Sequence, residues 1–351
     1  MLKVTRELID SLRAFSPGAH APCVLTSARV AIVARHGSPE DADALLEVFL
    51  EDPADYQRAG VLDAVMRRGT RDTARKLASA CLAGGRLRAK VRGDVLHAIG
   101  FLGCMEVRDV LWQYAAGETD TGYYQQKCAA LGLLSLPCDG LEREIESAVR
   151  ACAGKNLFPE FLPILAHKVG NPELLPLLFD MGQTTASTDC NGGLVYGIAL
   201  FGETGRPYFD RLLFDSHWET HGPGTGTGGW TYHGFRHLGG SVAEVARQLR
   251  ACHSAMSYES WEYRVRVWLE LVQHWFDDPL PPHCNVGYTP ERAVDVCSGA
   301  FDWSSANGDD SLSGLVRDKG WVPRHEIYTL RTRLWDRIMS EEASRTLAVS
   351  S

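Results

Sequence analysis

The sequence predicts an all-α fold: a right-handed α-solenoid of about seven stacked helix pairs, closed by a divergent helical C-terminal cap. Three observations lead there. Seven small turn residues, Gly37, Gly69, Gly103, Ser135, Gly170, Gly202 and Gly239, recur at spacings of 32, 34, 32, 35, 32 and 37 residues. Aligned on these turns, the position five before is mostly small (Ile32, Ala64, Ala98, Ala130, Leu165, Gly197, Gly234), and the position four before is always apolar (Val33, Val65, Ile99, Leu131, Ala166, Ile198, Phe235). Strand signals, meaning alternating β-branched runs closed by Asn-Gly turns, are nearly absent.

The elements follow in order. The opening MLKVTRELIDSLRAFSPG has no charged segment followed by an apolar run, so it reads as a short amphipathic helix and not as a signal peptide. Each unit then runs as an apolar helix, a turn, a short polar stretch and a second apolar helix. Glycine suits the left-handed residue at a helix C-terminus. The Ser, Thr, Asn, Asp, Pro and Glu residues that follow suit the start of the next helix. Small residues allow helices to approach, and the apolar column beside them fills the seam. Residues 1–252 are assigned to these units, with an insertion at 215–230 before the last. Residues 253–340 read as the cap. SYESWEYRVRVWLELVQHWF forms one long helix with Val265, Trp268, Leu269, Val272 and Trp275 on one face, Thr289 and Pro290 start a second, and VPRHEIYTLRTRLWDRIM is the last. Residues 341–351 are expected to fray.

AIGFLGCMEVRDVL and AHKVGNPELLPLL resemble HEAT-like repeats of armadillo-type superhelices, of the short kind also found in phycobilin lyases. The resemblance covers about Val24 to Cys252; the unit at Ser135, with Pro137 and Cys138 in its turn, departs from it. It implies the fold more than an activity. Such solenoids serve as scaffolds, chromophore lyases, metal-dependent hydroxylases and DNA glycosylases. The hydroxylases repeat a His-Glu dipeptide through several units, whereas here only His325-Glu326 occurs, in the cap.

Composition narrows the field. The 351 residues carry a net charge of -8, which argues against broad phosphate-backbone binding and hints at a basic partner. No apolar run reaches the roughly 18 residues of a membrane span. The ten cysteines contain no C-x-x-C pair, a pattern that fits reduced, mostly buried thiols in a cytoplasmic protein.

The helix before each turn is expected to line the concave surface. Six positions before the turns stand Ala31, Asp63, His97, Ala129, Ile164, Tyr196 and His233, and one helical turn later Arg67, Phe101, Leu133, Lys168, Leu200 and His237. Asp63 with His97, and Tyr196 with His233, are expected neighbours at about 10 Å ridge spacing. The segment SHWETHGPGTGTGGWTYHGFRH adds two i,i+4 histidine pairs, His217/His221 and His233/His237, a spacing that metal sites use. A divalent metal on these four histidines is one reading; polar residues on a wet helix face is the other. Glu219 or Asp63 would partner His217 or His233 in acid/base work. Trp218 and Trp230 flank the glycine loop and would line a pocket for a flat or cationic ligand, together with His97, Tyr196, His237 and Arg67. The G-x-G-x-x-G at Gly224, Gly226 and Gly229 follows no strand, so it fails as a dinucleotide loop.

Three functions follow. The first is a scaffold that holds a protein or peptide on its concave face. The second is an enzyme or small-molecule binder with its site around residues 215–237. The third is a HEAT-like DNA glycosylase, which the basic stretch Arg67, Arg68, Arg71, Arg75, Arg86, Arg88, Lys90 and Arg92 would serve and the acidic balance opposes.

Overall fold

The computed structural model describes residues 1–14, 29–30, 32–34, 36–118, 122–185, 188–212 and 227–239. The cap at 253–340, the tail at 341–351 and residues 215–226 of the insertion lie outside them.

The amphipathic opening forms α1, Lys3–Arg13, which buries Thr5, Leu8, Ile9 and Leu12. It packs on α2, Pro39–Glu51. The joint is polar. Asp41 is 1 % exposed, and its Oδ1 accepts from the Leu2 N–H at 2.7 Å and the Thr5 hydroxyl at 2.6 Å. Its Oδ2 accepts from the Ser38 N–H and hydroxyl, completing a capping box with Pro39 in the first turn. Burial raises the cost of the Asp41 charge, but these four donors outweigh it and hold the carboxyl well below its ordinary pKa.

The chain continues as α3 (Tyr56–Ala59), α4 (Leu62–Arg68), α5 (Arg71–Cys81), α6 (Asp94–Phe101), α7 (Arg108–Ala115), α8 (Tyr123–Leu134) and α9 (Glu142–Arg150). A 3-10 segment, Leu162–Val169, precedes α10 (Leu174–Thr184), α11 (Thr188–Ala199), α12 (Arg206–Leu212) and α13 (Thr227–His237). The helices before the turns pack in chain order: α4 on α6, α6 on α8, α8 on the 3-10 segment, that segment on α11, and α11 on α13. The helices after the turns pack against these, with α5 against α6, α7 against α8, α9 against the 3-10 segment and α10 against α11. The described residues are thus mostly helical, with almost no strand.

The apolar column four before each turn is buried throughout: Val33, Val65, Ile99, Ala166 and Ile198 are 0–1 % exposed, and Leu131 and Phe235 are each 7 % exposed. Gly103, Gly170, Gly202 and Gly239 take the left-handed conformation expected at a helix end. Gly37 and Gly69 are glycine for a different reason. A Cβ there would lie 2.6 Å and 2.5 Å from the carbonyl oxygens of Val33 and Val65.

Three features differ from the sequence expectation. Leu82–Ala83 and Arg86–Leu87 form a small antiparallel hairpin across Gly84 and Gly85, both at positive φ, as a tight two-residue turn of this twist demands. Residues 162–169 wind as 3-10, with Pro163 in the first turn offering no backbone N–H. The last described helix begins at Thr227, inside the stretch assigned to the insertion, because Trp230 is already packed on Phe161. Cys81, Cys104, Cys128, Cys138, Cys152 and Cys190, the cysteines among the described residues, are buried and unbridged.

Candidate functional site

Two helices can cross closely only where both lack side-chain bulk. A Cβ on Gly100 of α6 would sit 2.5 Å from the backbone of Gly132 on α8, and one on Gly132 would sit 2.6 Å from the carbonyl oxygen of Leu96. This backbone contact holds α6 against α8, and α8 contributes to two groups of side chains.

The first group is charged. Asp94 accepts from the Tyr124 hydroxyl through Oδ1 and from Arg92 Nε through Oδ2 at 3.0 Å. The Arg92 guanidinium lies 4.9 Å from the Tyr56 ring centroid and 5.9 Å from that of Tyr124. His97 meets the edge of Phe101 at 6.0 Å, and Arg67 lies over the same ring at 5.8 Å. Asp63, half-buried on α4, has its carboxyl pushed up to about 7 by desolvation and then by repulsion from Asp94, with Arg67 opposing. Desolvation, then Cys128 and Asp94, push the Tyr124 phenol up.

The second group is aromatic. Phe161 and Trp230 meet edge to face, with centroids 4.6 Å apart. Tyr196 lies 5.5 Å from Trp230, and His233 lies 5.4 Å from Trp230 and 6.2 Å from Tyr196. Gly192, one turn before Tyr196, makes this meeting possible. A Cβ there would come 2.9 Å from Trp230 Cδ1 and 3.6 Å from Phe161 Cζ. Over the corner stands Lys127 of α8, its Nζ 4.7 Å from the Phe161 centroid and 5.3 Å from that of Trp230. Among the described residues Lys127 has no carboxylate partner. The Tyr196 hydroxyl, on a side chain 0 % exposed, has no hydrogen-bond partner among the described residues, nor has Oδ1 of Asn191, 2 % exposed on the same helix. Burial pushes the Tyr196 phenol up.

The structure brings together Tyr196, Trp230 and His233, and separately Arg67 with His97 through Phe101. Asp63 couples to α6 through Asp94. His233 and His237 differ in setting: His233 is 7 % exposed against the aromatic corner, whereas His237 is exposed. The wet-face reading of His233 is thereby corrected, because Tyr196 and Trp230 cover its ring. Ala129, Ile164 and Leu133, on the columns expected to line a groove, are core residues. Lys168 is used structurally, donating to the Leu134 and Leu136 carbonyls at the end of α8. His217, Trp218, Glu219 and His221 lie outside the described residues. No group of three or more His, Cys, Asp or Glu side chains able to hold a metal occurs among the described residues.

Sequence reasoning missed Lys127, Phe161, Asn191, Asp94 and Tyr124. A signal existed for some of them. Phe161 and Trp230 both stand nine positions before their turns, and the Gly192-Gly193 pair lies inside a helix, where glycine costs about 1 kcal/mol each relative to alanine unless close packing uses it.

No family model matches the chain, and no curated protein or solved structure matches it. Among the described residues no helix is long and apolar enough to cross a membrane.

Proposed function

We propose that the chain is a HEAT-like right-handed α-solenoid of about seven helix pairs with a divergent helical cap, and that it acts as a scaffold. The concave face of this reading is the row of helices before the turns, and it holds a protein or peptide partner. The observation that supports the reading is the chain-order packing of those helices, on which Asp63, Arg67, Asp94, His97 and Tyr124 stay outside the apolar core. The net charge of -8 favours a basic partner. Nucleic acid fits poorly. Within the basic stretch, Arg71 and Arg75 pair with Glu106, Arg92 pairs with Asp94, and Arg68 donates to the Ala34 carbonyl.

Site-specific photo-crosslinking in the source cells tests the reading. A crosslinking amino acid at Arg67 or His97 gives a discrete adduct, and one at the exposed Arg143 on α9 gives none. Equal labelling from both rows, or no discrete adduct from either, defeats the scaffold.

A second reading, a small-molecule site with or without catalysis, rests on the buried hydroxyl of Tyr196 beside Trp230 and His233.

A further inference from the structure

We propose that the corner formed by Phe161, Trp230, Gly192, Tyr196 and Lys127 is a binding site for a small, planar, carboxylate-bearing ligand. This rests on the second reading and is independent of the scaffold. Two observations point to it separately. The Lys127 ammonium stands over two aromatic faces with no anion beside it among the described residues, although cations of this kind are ordinarily paired with a carboxylate when one is near. The buried Tyr196 hydroxyl lacks a partner among the described residues, and a buried hydroxyl is ordinarily hydrogen-bonded.

The chemistry of the ligand follows from the donors and the walls. An ammonium and a phenolic O–H both donate, so a ligand that answers either one offers an acceptor, and the ammonium selects an anion. Phe161 and Trp230 at 64° to one another present a ring face and a ring edge, which suit a flat apolar body. Gly192 lets Trp230 seat against α11, and any side chain there would displace that ring.

Isothermal titration calorimetry on the full chain with three matched probes tests this: 2-naphthoate, the neutral 2-naphthamide, and a naphthyl-trimethylammonium salt. The wild type is expected to bind naphthoate with a Kd below about 1 mM, and naphthamide about tenfold more weakly, the size of one charge-assisted hydrogen bond. Lys127→Met is expected to weaken naphthoate about tenfold and leave naphthamide unchanged. Lys127→Arg keeps naphthoate binding, and Gly192→Ala abolishes binding of both. The comparison between probes in the wild type needs no variant to fold. No heat from naphthoate, equal affinity for acid and amide, or tighter binding of the trimethylammonium probe overturns the proposal. The last would make the corner a cation cage that Lys127 fills from within. Crosslinking from Arg67 is unaffected by any of these outcomes, so the scaffold and the carboxylate site fail separately.

Discussion

The charged and the aromatic side-chain groups on the helices before the turns solve the same problem in different ways. Each places polar atoms on closely packed helices, partly exposed in the first group and buried at Tyr196 in the second. In the first group the polar atoms answer one another: Asp94 takes both the Tyr124 hydroxyl and Arg92. In the second, Lys127 stands on ring faces and the Tyr196 hydroxyl stays unpartnered among the described residues. A closed network mainly holds helices together, whereas unmet donors beside an aromatic wall suit a ligand.

The largest expected effect comes from breaking the contact between α6 and α8. Gly132→Val drives side-chain atoms into the backbone of α6 and should cost about 3 kcal/mol or more, or prevent folding, as read by thermal unfolding. Trp230→Ala should cost about 2–3 kcal/mol through the lost ring contacts on Phe161, Tyr196 and His233, while leaving the titration of Asp63 unchanged. A change in that titration would show that the two groups are one.

Asp63 sharpens the comparison through pH. Its folded pKa, about 7, lies above its unfolded value near 3.8, so the protonated acid is the form that folding favours. This contribution is complete below about pH 4 and is lost as pH rises through 7. Asp63→Asn should therefore be more stable than the wild type above pH 7, by about 1–2 kcal/mol once solvent screening is allowed for, with the gain vanishing near pH 4. Denaturant titrations at pH 4.5 and 8 read the difference, and equal gains at both would contradict it.

The smallest effects should have opposite signs. Tyr124→Phe removes a donated hydrogen bond to a carboxylate and should cost about 1 kcal/mol. Tyr196→Phe removes a hydroxyl without a described partner and should leave stability unchanged or raise it by up to about 1 kcal/mol. A loss at Tyr196 equal to that at Tyr124 would mean that its hydroxyl is already satisfied.

The site was less legible than the framework. The turn spacing exposed the register, and that register marked Tyr196 and His233 as neighbours. Lys127 escaped because it occupies no repeated column: it stands eight before Ser135, and the corresponding positions carry other residue types. Phe161 escaped because its partner Trp230 lies two units away, across the glycines of α11. The hairpin at Leu82–Leu87 was hidden because its strands are two residues each, too short for alternation to register.

What the sequence alone determined is local and periodic: helices of about 3.6 residues per turn, their caps at Ser38 and Thr70, left-handed ends at Gly103, Gly170, Gly202 and Gly239, and a buried apolar residue four before each turn. These follow from backbone sterics and from the solvent cost of apolar surface, which act within one turn of helix. Which rings meet, which carboxyl is desolvated and which hydroxyl goes unanswered were decided only by tertiary structure. They depend on how closely helices distant in the chain approach, and the glycines at 100, 132, 192 and 193 set that approach.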